Sequence, residues 1–217
     1  MRARWTDCYH RVDCREREPE VSTLDSSTVR AALKAARGGG EGALDALVEA
    51  LYAELRVVAK GQLRRLRPGQ TLDTTALVHE AYVKLVGASD FVDRSHFLAA
   101  SARAMRHILV NTARSKLADK RGGGKRAVTL DGCDVADEQA HYTEVAAVGQ
   151  ALERLRDIDE RLCRLVECRF YAGMTEEETA AALEVSDRTV RRDWLRARAW
   201  LKHELGFASL SSAQSGA

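Results

Sequence analysis

The chain has 217 residues, of which 45% are hydrophobic and 6% aromatic, with two prolines and little alternation of apolar and polar residues. It therefore reads as all-α, with room for two small helical domains. Net charge is only +2 although 30% of residues are charged, so local clusters of charge carry more information than their sum. No apolar run reaches the roughly 20 residues of a bilayer span, the N-terminus lacks a secretory apolar core, and the five cysteines are irregularly spaced. A membrane protein and a secreted disulfide scaffold are both disfavoured, and a cytoplasmic location is expected.

Residues 1–22 are polar and lack helical period; they hold Cys8, His10 and Cys14, but no second Cys/His pair follows to complete a zinc site. A disordered extension is expected there. A first helical domain is predicted over 23–121. Ser26 or Ser27 caps a helix through Val29, Leu33 and Ala36, which Gly38, Gly39 and Gly40 stop. Leu44, Leu47, Val48, Leu51, Leu55 and Val58 make the apolar stripe of a second helix, ended by Pro68 and Gly69. Thr71 to Thr75 open a third helix carrying Leu77, Val78, Ala81, Val83, Leu85 and Val86, with His79, Glu80 and Lys84 on its polar edge. A polar loop from Gly87 leads to a fourth helix over about Ser95–Leu117, and the run Arg121-Gly-Gly-Gly-Lys-Arg126 breaks it. Residues 122–149 carry Asp131, Asp134, Asp137, Glu138 and Glu144 without clear periodicity and read as a flexible acidic linker. A second helical domain is predicted over 150–207, with helices from Ala151 to about Phe170, Thr175 to Leu183 and Asp187 to about Leu205. A disordered tail over 208–217 follows.

The strongest local signal runs from Thr175 to Trp194. Thr175 and Glu178 form a capping box, Ala180 to Ala182 allow close helix approach, and Ser186 caps the next helix. Val190, Trp194, Ala197 and Leu201 supply a buried seam. Asp187, Arg188, Thr189, Arg191, Arg192 and Arg196 are left to project outward. That pattern predicts a helix-turn-helix whose second helix enters a major groove, where arginine reads guanine bidentately. Arg188, Arg191 and Arg192 are candidates for base edges; Arg196 and Arg198 suit phosphates. The bland alternative is a solvated face whose arginines reflect codon usage.

The fourth predicted helix, Phe97-Leu-Ala-Ala-Ser-Ala-Arg-Ala-Met-Arg-His-Ile-Leu-Val-Asn-Thr-Ala-Arg114, carries a second run of positive groups that continues through Lys116, Lys120, Arg121, Lys125 and Arg126. Here the chain resembles the extracytoplasmic-function (ECF) sigma factors of the sigma-70 superfamily, over about residues 24–206. The ordered set carries the resemblance: the Leu77-Val-His-Glu80 helix, the Phe97-Leu…Ala-Arg helix with its basic end, an acidic linker, and a helix-turn-helix ending Arg196-Ala-Arg-Ala-Trp-Leu201. It implies a promoter-specificity subunit without enzymatic activity or cofactor. The partners implied are core RNA polymerase and promoter DNA, with an anti-sigma factor or another regulator as a further candidate. By position, Leu77, His79, Glu80 and Lys84 correspond to the face that docks on the polymerase. Phe91, His96, Arg103, Arg106, His107, Asn111 and Arg114 fall in the element that recognises and melts the −10 region. Ser186, Asp187, Arg188, Thr189, Arg191, Arg192 and Arg196 correspond to the −35 reader. The chain departs from the family pattern at Ala76, His79 and Asn111, where an acidic residue, Gln and Asp are usual.

Physical chemistry is compatible with those roles. Extruding a base costs a few kcal/mol of stacking, and an aromatic platform returns about 1–3 kcal/mol per base. Phe91, His96 and Phe97 are available for it, although Phe97, and on equal terms Phe91, can instead be core. Other motifs fall away. His79-Glu80 lacks the second histidine of a zinc-protease helix, Gly122-Gly-Gly-Lys125 lacks the first Gly and the Ser/Thr of a phosphate loop, and Cys163 and Cys168 read as core. The rival readings are a stand-alone helix-turn-helix repressor or activator and an RNA-processing or nucleotidyl-transfer enzyme. No carboxylate pair at metal-binding spacing supports the latter.

Overall fold

A computed structural model describes residues 26–37, 42–64, 73–86, 91–121 and 135–214. Predictions about the N-terminal extension, the Gly122–Arg126 run and the end of the tail lie outside them. The described residues form helices and connecting turns and include no strand. In chain order the helices are α1 (Ser26–Arg37), α2 (Ala43–Ala50), α3 (Tyr52–Leu63), α4 (Thr74–Leu85), α5 (Arg94–Arg121), α6 (Val135–Ile158), α7 (Glu160–Val166), α8 (Glu176–Leu183) and α9 (Asp187–Gln214), with a π-helical segment at Glu167–Ala172 between α7 and α8.

Short-range chemistry sets the boundaries. Asp73 caps α4 by accepting from the Ala76 N–H at 2.7 Å. Asp159 caps α7 by accepting from the Leu162 N–H at 3.1 Å, which divides the predicted 151–170 helix into α6 and α7. The predicted second helix is also divided, at the buried Leu51, with φ −111° and ψ 13°. No proline or glycine stands at that joint, and nothing in the structure explains it. The capping box forms as the sequence indicates: the Thr175 hydroxyl accepts from the Glu178 N–H at 3.1 Å, and the Glu178 carboxylate accepts from the Thr175 N–H at 2.9 Å. Between α8 and α9 the chain turns through Glu184, held in the left-handed region at φ 54°. A non-glycine residue pays a steric cost there.

Three expectations need correction. The flexible linker expected over 122–149 is helical from Val135 onward, because Tyr142, Val148, Leu152 and Leu155 recur at helical spacing and are buried, with Val145 packed beside them. Its acidic residues obscured that stripe. The tail expected to be disordered from 208 extends α9 to Gln214, through a stretch with no proline or glycine after Phe207. The two helical domains expected over 23–121 and 150–207 also do not keep separate cores. Leu47, Leu51, Leu77, Phe97 and Met105 from the first half share one buried cluster with Leu152, Leu155, Val166, Phe170 and Leu201 from the second. A small satellite of Leu165, Ala180 and Val190 sits under the α8–α9 turn.

Helix α5 is the axis of this packing and contacts α4, α6 and the π segment most extensively. Gly149 of α6 marks a close approach: a Cβ there would lie 2.6 Å from Cγ1 of Val110 on α5. Polar contacts join the halves as well. The Gln62 amide on α3 donates to the carbonyls of Ala102 at 3.2 Å and Tyr171 at 3.3 Å. Arg94, at the start of α5, pairs with Glu54 of α3 at 2.6 Å and Glu178 of α8 at 2.9 Å.

Candidate nucleic-acid interface

The outward face of α9 is built from its first three turns. Ser186 precedes the helix, and its hydroxyl accepts from the Thr189 N–H at 3.3 Å while lying 2.9 Å from the Thr189 hydroxyl. Val190, Ala197 and Leu201 are buried, and Trp194 packs against the core, so the predicted seam holds the helix down. Asp187, Arg188, Arg191, Arg192 and Arg196 are exposed on the other side, with Thr189 half-buried. Arg191 reaches Glu176 of α8 at 3.3 Å, an exposed pair. Exposed ion pairs of this kind contribute little to stability.

Two residues in this region were missed by sequence reasoning. Leu195 is 65% exposed although large and apolar, and it follows Arg188, Arg191 and Arg192 by seven, four and three positions, on the same helix face. Its position within a basic stripe was the available signal. Asp193 is the other: it is buried, and Arg161 of α7, Arg192 and Arg196 approach its carboxylate at 2.9, 3.2 and 3.4 Å. An acidic residue between seam positions 190 and 194 marks it in the sequence. Arg169, buried in the π segment, braces the same unit. It donates to the Met174 carbonyl at 2.9 Å and lies over the Trp194 ring, 5.8 Å from its centroid.

The α5 residues assigned to a second DNA surface are arranged differently. Arg106 is 2% exposed, and its guanidinium donates to Glu167 of the π segment at 2.6 Å. Arg103, half-exposed, donates to the other oxygen of Glu167 at 2.9 Å. Arg106 also approaches Nε2 of His107 at 2.8 Å. Arginine has no lone pair to accept with, so His107 accepts and is unprotonated at that nitrogen. Burial, and next the Arg106 charge, hold the His107 pKa below its ordinary 6.5. Arg114 donates to both Glu153 oxygens on α6, at 3.2 and 3.0 Å, and its guanidinium keeps that carboxyl below the usual range. Asn111 is exposed.

Phe91, expected to be available for base stacking, is instead core: it is 3% exposed and meets Phe97 edge to face at 5.1 Å. His96 is partly buried, and its Nδ1 accepts from the Val92 N–H at 3.2 Å. Arg106 is likewise not available as an outward DNA contact in this conformation, because its charge is satisfied internally. Glu167 was the missed partner. Its only mark in the sequence is to be the one acidic residue, beside Arg164 and Arg169, in the run Leu162-Cys-Arg-Leu-Val-Glu-Cys-Arg-Phe170. The π segment buries five successive residues, Glu167 to Tyr171, and so turns a side chain inward that an amphipathic stripe would not.

On α4, His79, Glu80 and Lys84 are exposed, and His79 stacks on Tyr82 at 6.2 Å. The Tyr82 hydroxyl donates to Asp45 of α2 at 2.6 Å, and that bond raises the tyrosine pKa. Leu77, assigned to the same docking face, is fully buried: a leucine at that position of the stripe points into the core. Val83 and Val86 are exposed and lie at the same end of the helix as Lys84. A small cleft of about 190 Å³ between α5 and the α7–α8 segment is lined by His96, Arg103, Glu160, Arg164 and Glu167. Its charges are balanced and select no ligand. Among the described residues no cluster of His, Cys, Asp and Glu could hold a metal ion, and no helix is long and apolar enough to cross a membrane.

Comparison with known proteins gives a single assignment. Neither the curated proteins nor the solved structures provide a match, whereas the family model for ECF sigma factors matches residues 26–206, which takes in every helix from α1 through most of α9. The chain belongs to the ECF sigma factor family, and its role lies in transcription initiation.

Proposed function

We infer that this sigma factor binds core RNA polymerase through the exposed edge of α4 and reads promoter DNA through α9, contributing no catalysis of its own. The observation that carries this reading is the α8–turn–α9 unit. A capped, seam-anchored helix presents Arg188, Arg191, Arg192 and Arg196 together at and just beyond its N-terminal end, where a helix inserted in a major groove meets base edges. Arg191 and Arg192 are the base readers, Arg196 a phosphate contact, and Leu195 an apolar neighbour suited to a thymine methyl.

The −10 function requires a further step. Arg103 and Arg106 face Glu167 across the shared core, so the free chain holds part of that surface closed. Docking of His79, Glu80 and Lys84 on the polymerase, together with DNA, would separate α5 from the π segment and release those charges for phosphates while α5 holds the melted strand. Polymerase and promoter DNA are the two partners of this reading; an anti-sigma protein would act by keeping the halves together.

Purified chain mixed with core polymerase should direct transcription from specific sites on genomic DNA, while the chain alone retards those fragments weakly. Tight operator binding without polymerase would favour a stand-alone repressor or activator instead. Within the holoenzyme, Arg191→Ala or Arg192→Ala should each cost about 1–3 kcal/mol of −35 recognition and relax its sequence preference. Glu80→Lys should weaken association with the core enzyme.

A further inference from the structure

We propose that Asp193, buried beneath the basic face of α9, is a positioning residue that fixes the aim of Arg192 and Arg196 on DNA and so sets the sharpness of promoter discrimination; this rests on the reading of α9 as the promoter contact. Asp193 is 1% exposed, yet it is neither a cap nor part of the apolar seam. Its Oδ2 lies 2.9 Å from the guanidinium of Arg161, and its Oδ1 accepts from Arg192 at 3.2 Å and Arg196 at 3.4 Å. The three guanidinium-bearing side chains are themselves exposed, at 44%, 64% and 55%. The carboxylate is thus inside while the cations it holds are at the surface.

Packing does not require an ion here. Burying a carboxylate costs free energy unless it is paired, and an apolar residue of similar volume commonly serves as well or better. The geometry accounts for its presence. A surface arginine samples many rotamers, and one guanidinium edge held by a buried acceptor restricts it while leaving most of its five donors for a base or phosphate. Arg161 adds a second restraint, because it ties α9 to α7 through the same carboxylate, so helix and side chains are held in one register. Asp193 also removes one charge from the corner. It therefore favours directed contacts over indiscriminate attraction to the phosphate backbone, whose strength and salt dependence grow with net positive charge.

The test uses wild-type holoenzyme to select duplexes from a library randomised in the upstream promoter element, then compares each variant holoenzyme on the selected duplex and on a scrambled one. Asp193→Asn preserves shape and removes the charge. Its discrimination ratio should fall about tenfold, the scale of one lost bidentate base contact. Affinity for the scrambled duplex should hold or rise, with a steeper salt dependence. Asp193→Glu should recover part of the ratio. Arg161→Gln, at a half-exposed side chain that a folded chain tolerates, should show a smaller loss of the same kind. An unchanged ratio in Asp193→Asn and Arg161→Gln would overturn the proposal. So would a parallel loss on both duplexes that tracks a fall in melting temperature, since that is what a purely structural role gives. Failure of wild-type holoenzyme to select any duplex would instead remove the promoter reading of α9, and this inference with it.

Discussion

Glu167 and Asp193 are both buried, and both gather arginines, but the arginines approach from different places. Those at Glu167 come from α5 in the other half of the chain, and one of them, Arg106, is buried with it. Those at Asp193 come from its own helix and from α7 next door, and all three keep their outer edges in water. The first arrangement consumes positive charge to close the molecule. The second uses a negative charge to present positive ones. One chain therefore has one arginine cluster that ties its halves together and one that stays exposed on α9, and a count of arginines would not distinguish them.

The largest expected effect comes from unbalancing the closed cluster. Glu167→Gln leaves the Arg106 guanidinium buried without an anion, and stripping one partner from a buried pair costs about 3–5 kcal/mol. Thermal unfolding should show that loss, and hydrogen exchange should quicken at the α5 segment around Arg103–His107. Replacing both partners, as Glu167→Leu with Arg106→Met, removes the unpaired charge and should restore most of the stability. If the single and double variants melt alike, the pair is not what holds the halves together.

A smaller effect is expected where the halves touch without charges. At Gly149 a methyl group would sit 2.6 and 2.8 Å from the two Cγ atoms of Val110. Overpacking of that kind costs about 1–3 kcal/mol, offset in part by the roughly 1 kcal/mol that alanine gains over glycine in a helix. Gly149→Ala should lower the melting temperature by a few degrees, and Val110→Ala in the same chain should return most of it. Rescue by the second substitution is the decisive readout, because a general dislike of change at position 149 would not be relieved from α5.

Much of this was legible in the sequence, for identifiable reasons. The capping box at Thr175, the Ser186 cap and the seam through Val190, Ala197 and Leu201 are encoded within a few residues of each other, and local spacing was enough to place α8 and α9. The outward set from Arg188 to Arg196 followed from the same periodicity. What was hidden depends on contacts between residues far apart in the chain. Glu167 lies 61 and 64 positions from Arg106 and Arg103, so nothing local shows that α5's charges turn inward. Phe91 looked equally suited to base stacking or core, and the family resemblance put Leu77 on the docking face; only the neighbouring Phe97 ring and the shared core decide for burial. The helix over Val135–Ile158 was hidden by the acidic residues interspersed in its sequence, which obscured an apolar stripe that is present.

The smallest expected effect is pH dependence through His107, and it bears on the closed cluster alone. Its imidazole is partly buried beside Arg106, accepts from that guanidinium, and has a pKa below its ordinary 6.5. A histidine so placed favours the folded, neutral form: above 6.5 it is neutral in both folded and unfolded chains, and its contribution is constant. As pH falls through 6.5 toward the lower folded value, the unfolded chain takes up a proton that the folded one resists, so stability declines over that interval and levels off below it. Acid should loosen the α5–π segment contact first, because a proton on Nε2 would set an N–H against the Arg106 N–H. Melting temperatures between pH 7.5 and 5 should therefore fall more steeply for the wild type than for His107→Gln, which accepts the same hydrogen bond through its amide oxygen and does not titrate. Asp193, on the presented cluster, is paired with Arg161, Arg192 and Arg196, and no histidine is among these partners. If His107→Gln follows the wild-type curve, the sensitivity arises elsewhere and the contrast between the two clusters loses its pH signature.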